Sequence, residues 1–156
     1  MPRAKYQVLV IPYLIEKDNI QYCIFKRNDM EDCWQFIAGG GETVDITPMV
    51  SAKREAYEEA NIPTELHFIE LETNCSISTE HFKNARKNWG EQCLVIPEYC
   101  FAVELKEKNI KISQEHISYR WVDYETAKQK LKYDSNKVAL WEIDNKIKLG
   151  MIKQLI

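Results

Sequence analysis

The chain has 156 residues, 45% hydrophobic and 29% charged, which suits one domain over residues 1–156 with a core of its own. A formal net charge of −3 and only three histidines give no basic footprint for duplex nucleic acid. The five cysteines Cys23, Cys33, Cys75, Cys93 and Cys100 are odd in number and form no C-x-x-C pair, which argues against a disulfide framework or a zinc site.

The first apolar run, "KYQVLVIPYLI", and the second, "IQYCIFKR", read as two strands around the turn "EKDN". Pro12 and the charges Glu16 and Lys17 make the first run too short to span a membrane, and no small-residue cleavage site follows. A cytoplasmic protein with no membrane contact is expected, and a homodimer is left open. "WQFIAGGG" reads as a short strand entering a glycine loop, and a helix is expected from Pro48 to Ala60. "LHFIELETNCSIST" and "QCLVIPEYCFAVEL" are two long strands, joined by the polar stretch "TEHFKNARKNWGEQ", expected as a loop. "HISYRWVDY" is a short strand, and "YETAKQKL" and "NKVALWEIDNKI" are C-terminal helices. Strands on both sides of a central helix indicate a mixed α/β sandwich.

The central helix has well-marked ends. Thr47 is a hydroxyl N-cap before Pro48, Asn61 suits a left-handed C-cap, and Pro63 blocks continuation. At about 100° per residue, Ala52, Ala56 and Ala60 form one stripe with Met49, narrow enough for close approach to a sheet. Glu55, Glu58 and Glu59 lie beside that stripe, and acids at i, i+3 and i+4 repel each other. Two readings stand. A solvated acidic face would rely on the Arg54–Glu58 pair. A cation site would use Mg²⁺ or Mn²⁺, which take oxygen ligands.

Gly39, Gly40 and Gly41, just ahead of this helix, let a backbone come close to a ligand. No G-K-[ST] follows, so they are not a phosphate-binding P-loop, and no D-x-[DN]-x-[DN]-G run marks an EF-hand.

The glycines, the spacer "TPMVSAK" and "REAYEEANI" together resemble the signature of the Nudix hydrolases. That signature is Gly, five residues, Glu, seven residues, Arg-Glu, an apolar residue, any residue, Glu-Glu, any residue, Gly and an apolar residue. Arg54, Glu55, Ala56, Glu58, Glu59 and Ile62 match it. "QEHISYRWVDYETA" is similar to a segment of the family's bacterial branch of dATP and dihydroneopterin triphosphate pyrophosphohydrolases. Two positions depart. Asn61 replaces the late glycine, and Ile46 stands where the loop glutamate belongs, with Glu42 or Asp45 as substitutes.

The resemblance implies an α/β/α sandwich with a mixed sheet between helices. It implies a Mg²⁺-dependent, or Mn²⁺-dependent, hydrolase of a small-molecule nucleotide or phosphorylated metabolite. A dATP-like or pterin triphosphate would be cleaved at a phosphoanhydride bond with release of pyrophosphate. Glu55, Glu58 and Glu59 would be catalytic and hold metal, joined by Glu115 and by Gly39 or Gly40. Lys5, Arg27 and Ala38 match substrate contacts, and Arg54 supports the site. Glu80 and Glu98 are further acids outside the signature. Lys83, Arg86, Lys87 and Trp89 could receive a base and a phosphate or be plain solvated loop. The histidines His67, His81 and His116 read as surface or structural. The alternative, raised by Ile46, is a non-catalytic nucleotide-binding Nudix domain with a sensing or regulatory role.

Overall fold

The β-branched and aromatic run at the N-terminus makes the strand around which the sheet is organised, β1, Arg3–Glu16. The computed structural model describes residues 2–114 and 116–152. Among those residues the other strands are β2 (Asn19–Arg27), β3 (Trp34–Gln35), β4 (Ile37–Glu42), β5 (Phe68–Ser78), β6 (Val95–Glu104) and β7 (His116–Val122). The helices are α1 (Pro48–Ala60), α2 (Lys83–Trp89), α3 (Tyr124–Lys130) and α4 (Asp134–Lys148).

The seven strands form one mixed sheet. β1 runs parallel to β6 and antiparallel to β2 and β4, the first half of β1 pairing β4 and its end pairing β2. β2 also carries β3 and β7, and β5 closes the far edge against β6.

Alternation along the strands separates two apolar faces. Val8, Val10, Phe25, Ile37, Phe101 and Val103 pack with Ala52, Ala56 and Ala60 of α1. Leu9, Ile11, Tyr22, Ile24 and Cys100 pack on the other face with Ala139, Leu140 and Ile143 of α4. Each large side chain buried this way contributes about 1.5–3 kcal/mol, so the layers are helix, sheet, helices. This is the α/β/α sandwich with a mixed sheet that the sequence implies.

α1 occupies the expected span. Thr47 Oγ1 accepts from Val50 N at 3.4 Å, and Asn61 takes the left-handed conformation with φ 56°. Three sequence expectations are corrected. The glycines are strand, not loop, because all three lie in β4, partly paired to β1. The polar stretch after β5 contains a 3-10 turn, Thr79–His81, and then α2, and the ring of Phe82, just before α2, meets that of Trp89 at its end edge to face at 6.1 Å. α4 begins at Asp134, before the expected start at Asn136.

α4 is locked to the sheet through a bulge in β5. Glu142 accepts from the amides of Glu72 and Thr73 and from the Thr73 hydroxyl, at 2.6 to 2.8 Å, and pairs with Lys146 at 2.9 Å. Burial by itself raises the Glu142 pKa, but these donors outweigh it and hold the pKa below its ordinary value. A lowered acid stabilises the fold above its unfolded-state pKa and loses that contribution as pH falls through the folded-state value. Glu142→Ala is expected to cost about 1–3 kcal/mol, read by denaturant melts at neutral pH. The gap between native protein and Glu142→Gln should close on acidification; a gap that stays constant into the acid range would remove the assignment.

Candidate active site

The site starts from the narrowness of α1. Its alanine face lets the helix lie close to the sheet, and this carries two of its acids inward. Glu55 is 9% exposed and Glu59 6%. The Glu55 carboxyl fits only because position 39 is glycine: a Cβ there would stand 2.2 Å from the carboxyl carbon. The same logic holds for Gly41, whose Cβ would strike the Tyr6 ring. Tyr6 in turn shares a 2.6 Å hydrogen bond with Ser51 of α1, tying β1 to the helix.

Arg54 is the positive centre. Its Nη1 lies 3.0 Å from Glu55 Oε1 and 3.7 Å from both Glu42 and Glu58. Its Nη2 donates to Asp45 Oδ2 at 2.9 Å and to the Gly40 carbonyl at 3.2 Å. Asp45 also accepts from the Ser51 hydroxyl and from Glu42 N. Ile46, by contrast, is 90% exposed. Of the two candidate replacements for the loop acid, Asp45, its side chain 7% exposed, is the one that grips the arginine, and Glu42 is the more distant.

Burial pushes the Glu55 carboxyl up to about 7. Arg54 opposes the rise, while Glu58 and Glu59 add to it. Glu59 faces a different set of groups. Its Oε2 accepts from Ser113 Oγ at 2.7 Å and lies 3.4 Å from Nδ1 of His116, while its backbone carbonyl accepts from Ser113 N. His116 is itself buried, its ring tilted against that of Phe25 with centroids 5.3 Å apart. The sequence reading had no signal for this pairing, since Glu59 and His116 are distant in the chain. Glu58 is the exposed member of the three, with 52% of its side chain open.

Among the described residues, no three His, Cys, Asp or Glu side chains stand together as a ready-made cation site. The donors nevertheless suit a hard divalent ion: the Glu55 carboxyl offers oxygen donors seated against the backbone of Gly39, in a cradle that a Cβ would fill. Glu115 lies outside the described residues. Lys5 is exposed on β1, and Ala38 is half-buried opposite Leu9. Arg27 is held by Asp29, with Nε donating to Oδ1 at 2.7 Å. No helix among the described residues is long and apolar enough to cross a membrane.

Comparison with known proteins gives the family. The dihydroneopterin triphosphate diphosphatase of Escherichia coli K12 is 25% identical over 137 residues, which cover 87% of this chain and 91% of that protein. A crystal structure from Listeria monocytogenes, assigned as a NUDIX hydrolase, has a TM-score of 0.84 and 38% identity, covering 97% of this chain and 100% of that one. The E. coli dihydroneopterin triphosphate pyrophosphohydrolase shares the fold, with a TM-score of 0.74 at 24% identity over 92% of this chain and 99% of that one. The NUDIX domain model matches residues 6–141, a span that takes in the acid helix, the glycine strand above it and the sheet that buries both. On that match the chain belongs to the NUDIX domain family and is a Nudix hydrolase.

Proposed function

We propose that the chain is a divalent-cation-dependent pyrophosphohydrolase of a nucleoside triphosphate or a pterin triphosphate. The observation that carries the reading is the Glu55 carboxyl, buried under Gly39, raised to about 7 and crowded by Glu58 and Glu59. A cluster of acids kept this way gains most from a bound cation. The substrate class rests on the E. coli relative, named for dihydroneopterin triphosphate. The five free cysteines fit a reducing compartment such as the cytoplasm.

In this reading Glu55, Glu58 and Glu59 hold Mg²⁺ or Mn²⁺, with the carbonyl of Gly39 or Gly40 and with Glu115 as further donors. When bound, such an ion neutralises phosphate charge and makes water a better nucleophile. The chain's own residues supply position. Arg54 fixes the β4 end and the loop acid Asp45 against the helix, so the carboxylates need not reorganise during the reaction. Ser113 and His116 hold Glu59 from the β7 side. Lys5, Arg27 and Ala38 are the proposed substrate contacts. A binding-only role is not favoured, because all three helix acids are present and Asp45 supplies the acid that Ile46 lacks.

The test is incubation of the purified chain with dihydroneopterin triphosphate and each deoxynucleoside triphosphate, with Mg²⁺ or Mn²⁺, measuring phosphate and pyrophosphate separately. Pyrophosphate as first product supports the reading; inertness toward every triphosphate overturns it. Glu55→Gln and Glu59→Gln should each lower turnover by about 100-fold or more, with melting temperatures near that of the native protein. Full activity in EDTA would contradict the mechanism.

Asp45→Asn should slow turnover more than Ile46→Glu raises it, because Asp45 already grips Arg54. The reverse order would return the loop acid's place to position 46.

Glu55 also sets a pH dependence. A carboxyl raised to about 7 is protonated below that value in the folded, metal-free protein, and its contribution to stability is lost as pH rises through about 7. Cation binding at about pH 6 should therefore release a proton. Calorimetry in buffers of different ionisation heat should detect this release, and Glu55→Gln should abolish it. Equal release in the variant would assign the proton elsewhere.

A further inference from the structure

β6 carries one acid in its buried interior. Glu98 is 3% exposed, and its Oε1 has no hydrogen-bond partner among the described residues. The neighbours two positions away, Ile96 and Cys100, are buried and apolar. Burial raises the Glu98 pKa, with Gln7 and the Ser135 hydroxyl opposing the rise. Packing alone gives no reason for an acid here, since an apolar side chain would fill the space and leave no bare oxygen.

Glu98 belongs to a polar row that crosses the sheet. The register sets Cys75 of β5 and Gln7 of β1 on either side of Glu98, and Gly40 of β4 beyond Gln7. Gln7 Nε2 donates to Glu98 Oε2 at 3.3 Å, and Arg3 Nη2 donates to Gln7 Oε1 at 2.8 Å. Arg3 occupies the space that a Cβ on Gly40 would need. Its guanidinium stands over the Phe82 ring at 4.6 Å, and both residues wall a cavity of about 540 Å³ together with Glu80 and Lys83. The row lies on the face away from α1, near Ser135 in the first turn of α4. It reaches β4 beside Gly39, directly across the sheet from Glu55.

We propose that Glu98 determines specificity, accepting the ring N–H and the adjacent amino group of a 2-amino-4-oxo heterocycle, a guanine or a pterin, while Gln7 and Arg3 face its carbonyl. An ionised carboxylate only accepts, so it matches two neighbouring donors. Adenine and cytosine set an acceptor beside their amino group and do not match. The order Arg3, Gln7, Glu98 presents donors and then an acceptor, the complement of carbonyl, ring N–H and amino group. The long Gln7–Glu98 bond is the contact that yields when the heterocycle enters. The proposal rests on the triphosphate substrate reading and names the part of the substrate that is recognised.

The experiment is calorimetric titration of the full chain, with Mg²⁺, using α,β-methylene analogues of dGTP, dITP and dATP. The dGTP analogue should bind about 10–100-fold more tightly than the other two, and Glu98→Gln should collapse that ratio. Equal affinities in the native protein, or an unchanged ratio in Glu98→Gln, would overturn the proposal. If the variant fails to fold, the native dGTP-to-dITP ratio decides, because those ligands differ only in the amino group. Selective binding with no hydrolysis of any triphosphate would keep the role of Glu98 and remove the hydrolase reading. Hydrolysis with no base selectivity would do the opposite.

Discussion

The close seating of α1 on the sheet is the constraint from which the rest of the site follows. Ala52, Ala56 and Ala60 put no bulk between helix and strands, so the helix backbone comes down onto β1 and β4. At that distance Glu55 and Glu59 have no route to full solvent. Buried carboxylates need partners or a counter-charge, and the surrounding residues meet that need. Gly39 gives up its side chain to make room for one acid, and Ser113 and His116 meet the other.

Arg54 converts this crowding into a defined geometry. It touches the helix acids, the Gly40 carbonyl and the loop acids at once, so the strand, the loop and the helix share one charged junction. The junction is complete without a carboxylate at position 46. Arg54 is met at its Nη2 by Asp45, one position before Ile46, with a side chain only 7% exposed. Ile46 is then free to lie in solvent.

The sheet is used on both faces. The face under α1 carries the acid cluster. The opposite face is apolar where α4 covers it and polar beyond the start of α4, where Arg3, Gln7 and Glu98 form their row. β4 is common to both, and its glycines serve each face in turn: Gly39 and Gly41 toward α1, Gly40 toward Arg3. Alternating directions of successive residues in a strand make this division of labour available to three consecutive glycines.

The sequence by itself determined the local features. Thr47, Pro48 and Asn61 set the ends of α1, and its alanine period set the buried face, because caps and helical period depend on residues within a few positions. The spacing from Arg54 to Ile62 was enough to point to the family, and the acids of α1 were legible as a cluster. The tertiary structure decided what depends on partners far apart in the chain. It put the glycines in a strand, chose Asp45 over Glu42 as the main loop partner of Arg54, and set His116 beside Glu59. Alternation along β6 left the face of Glu98 undetermined. Only pairing with β1, which brings Gln7 across 91 positions of sequence to its carboxylate, decided it, because strand register is fixed by both partners together.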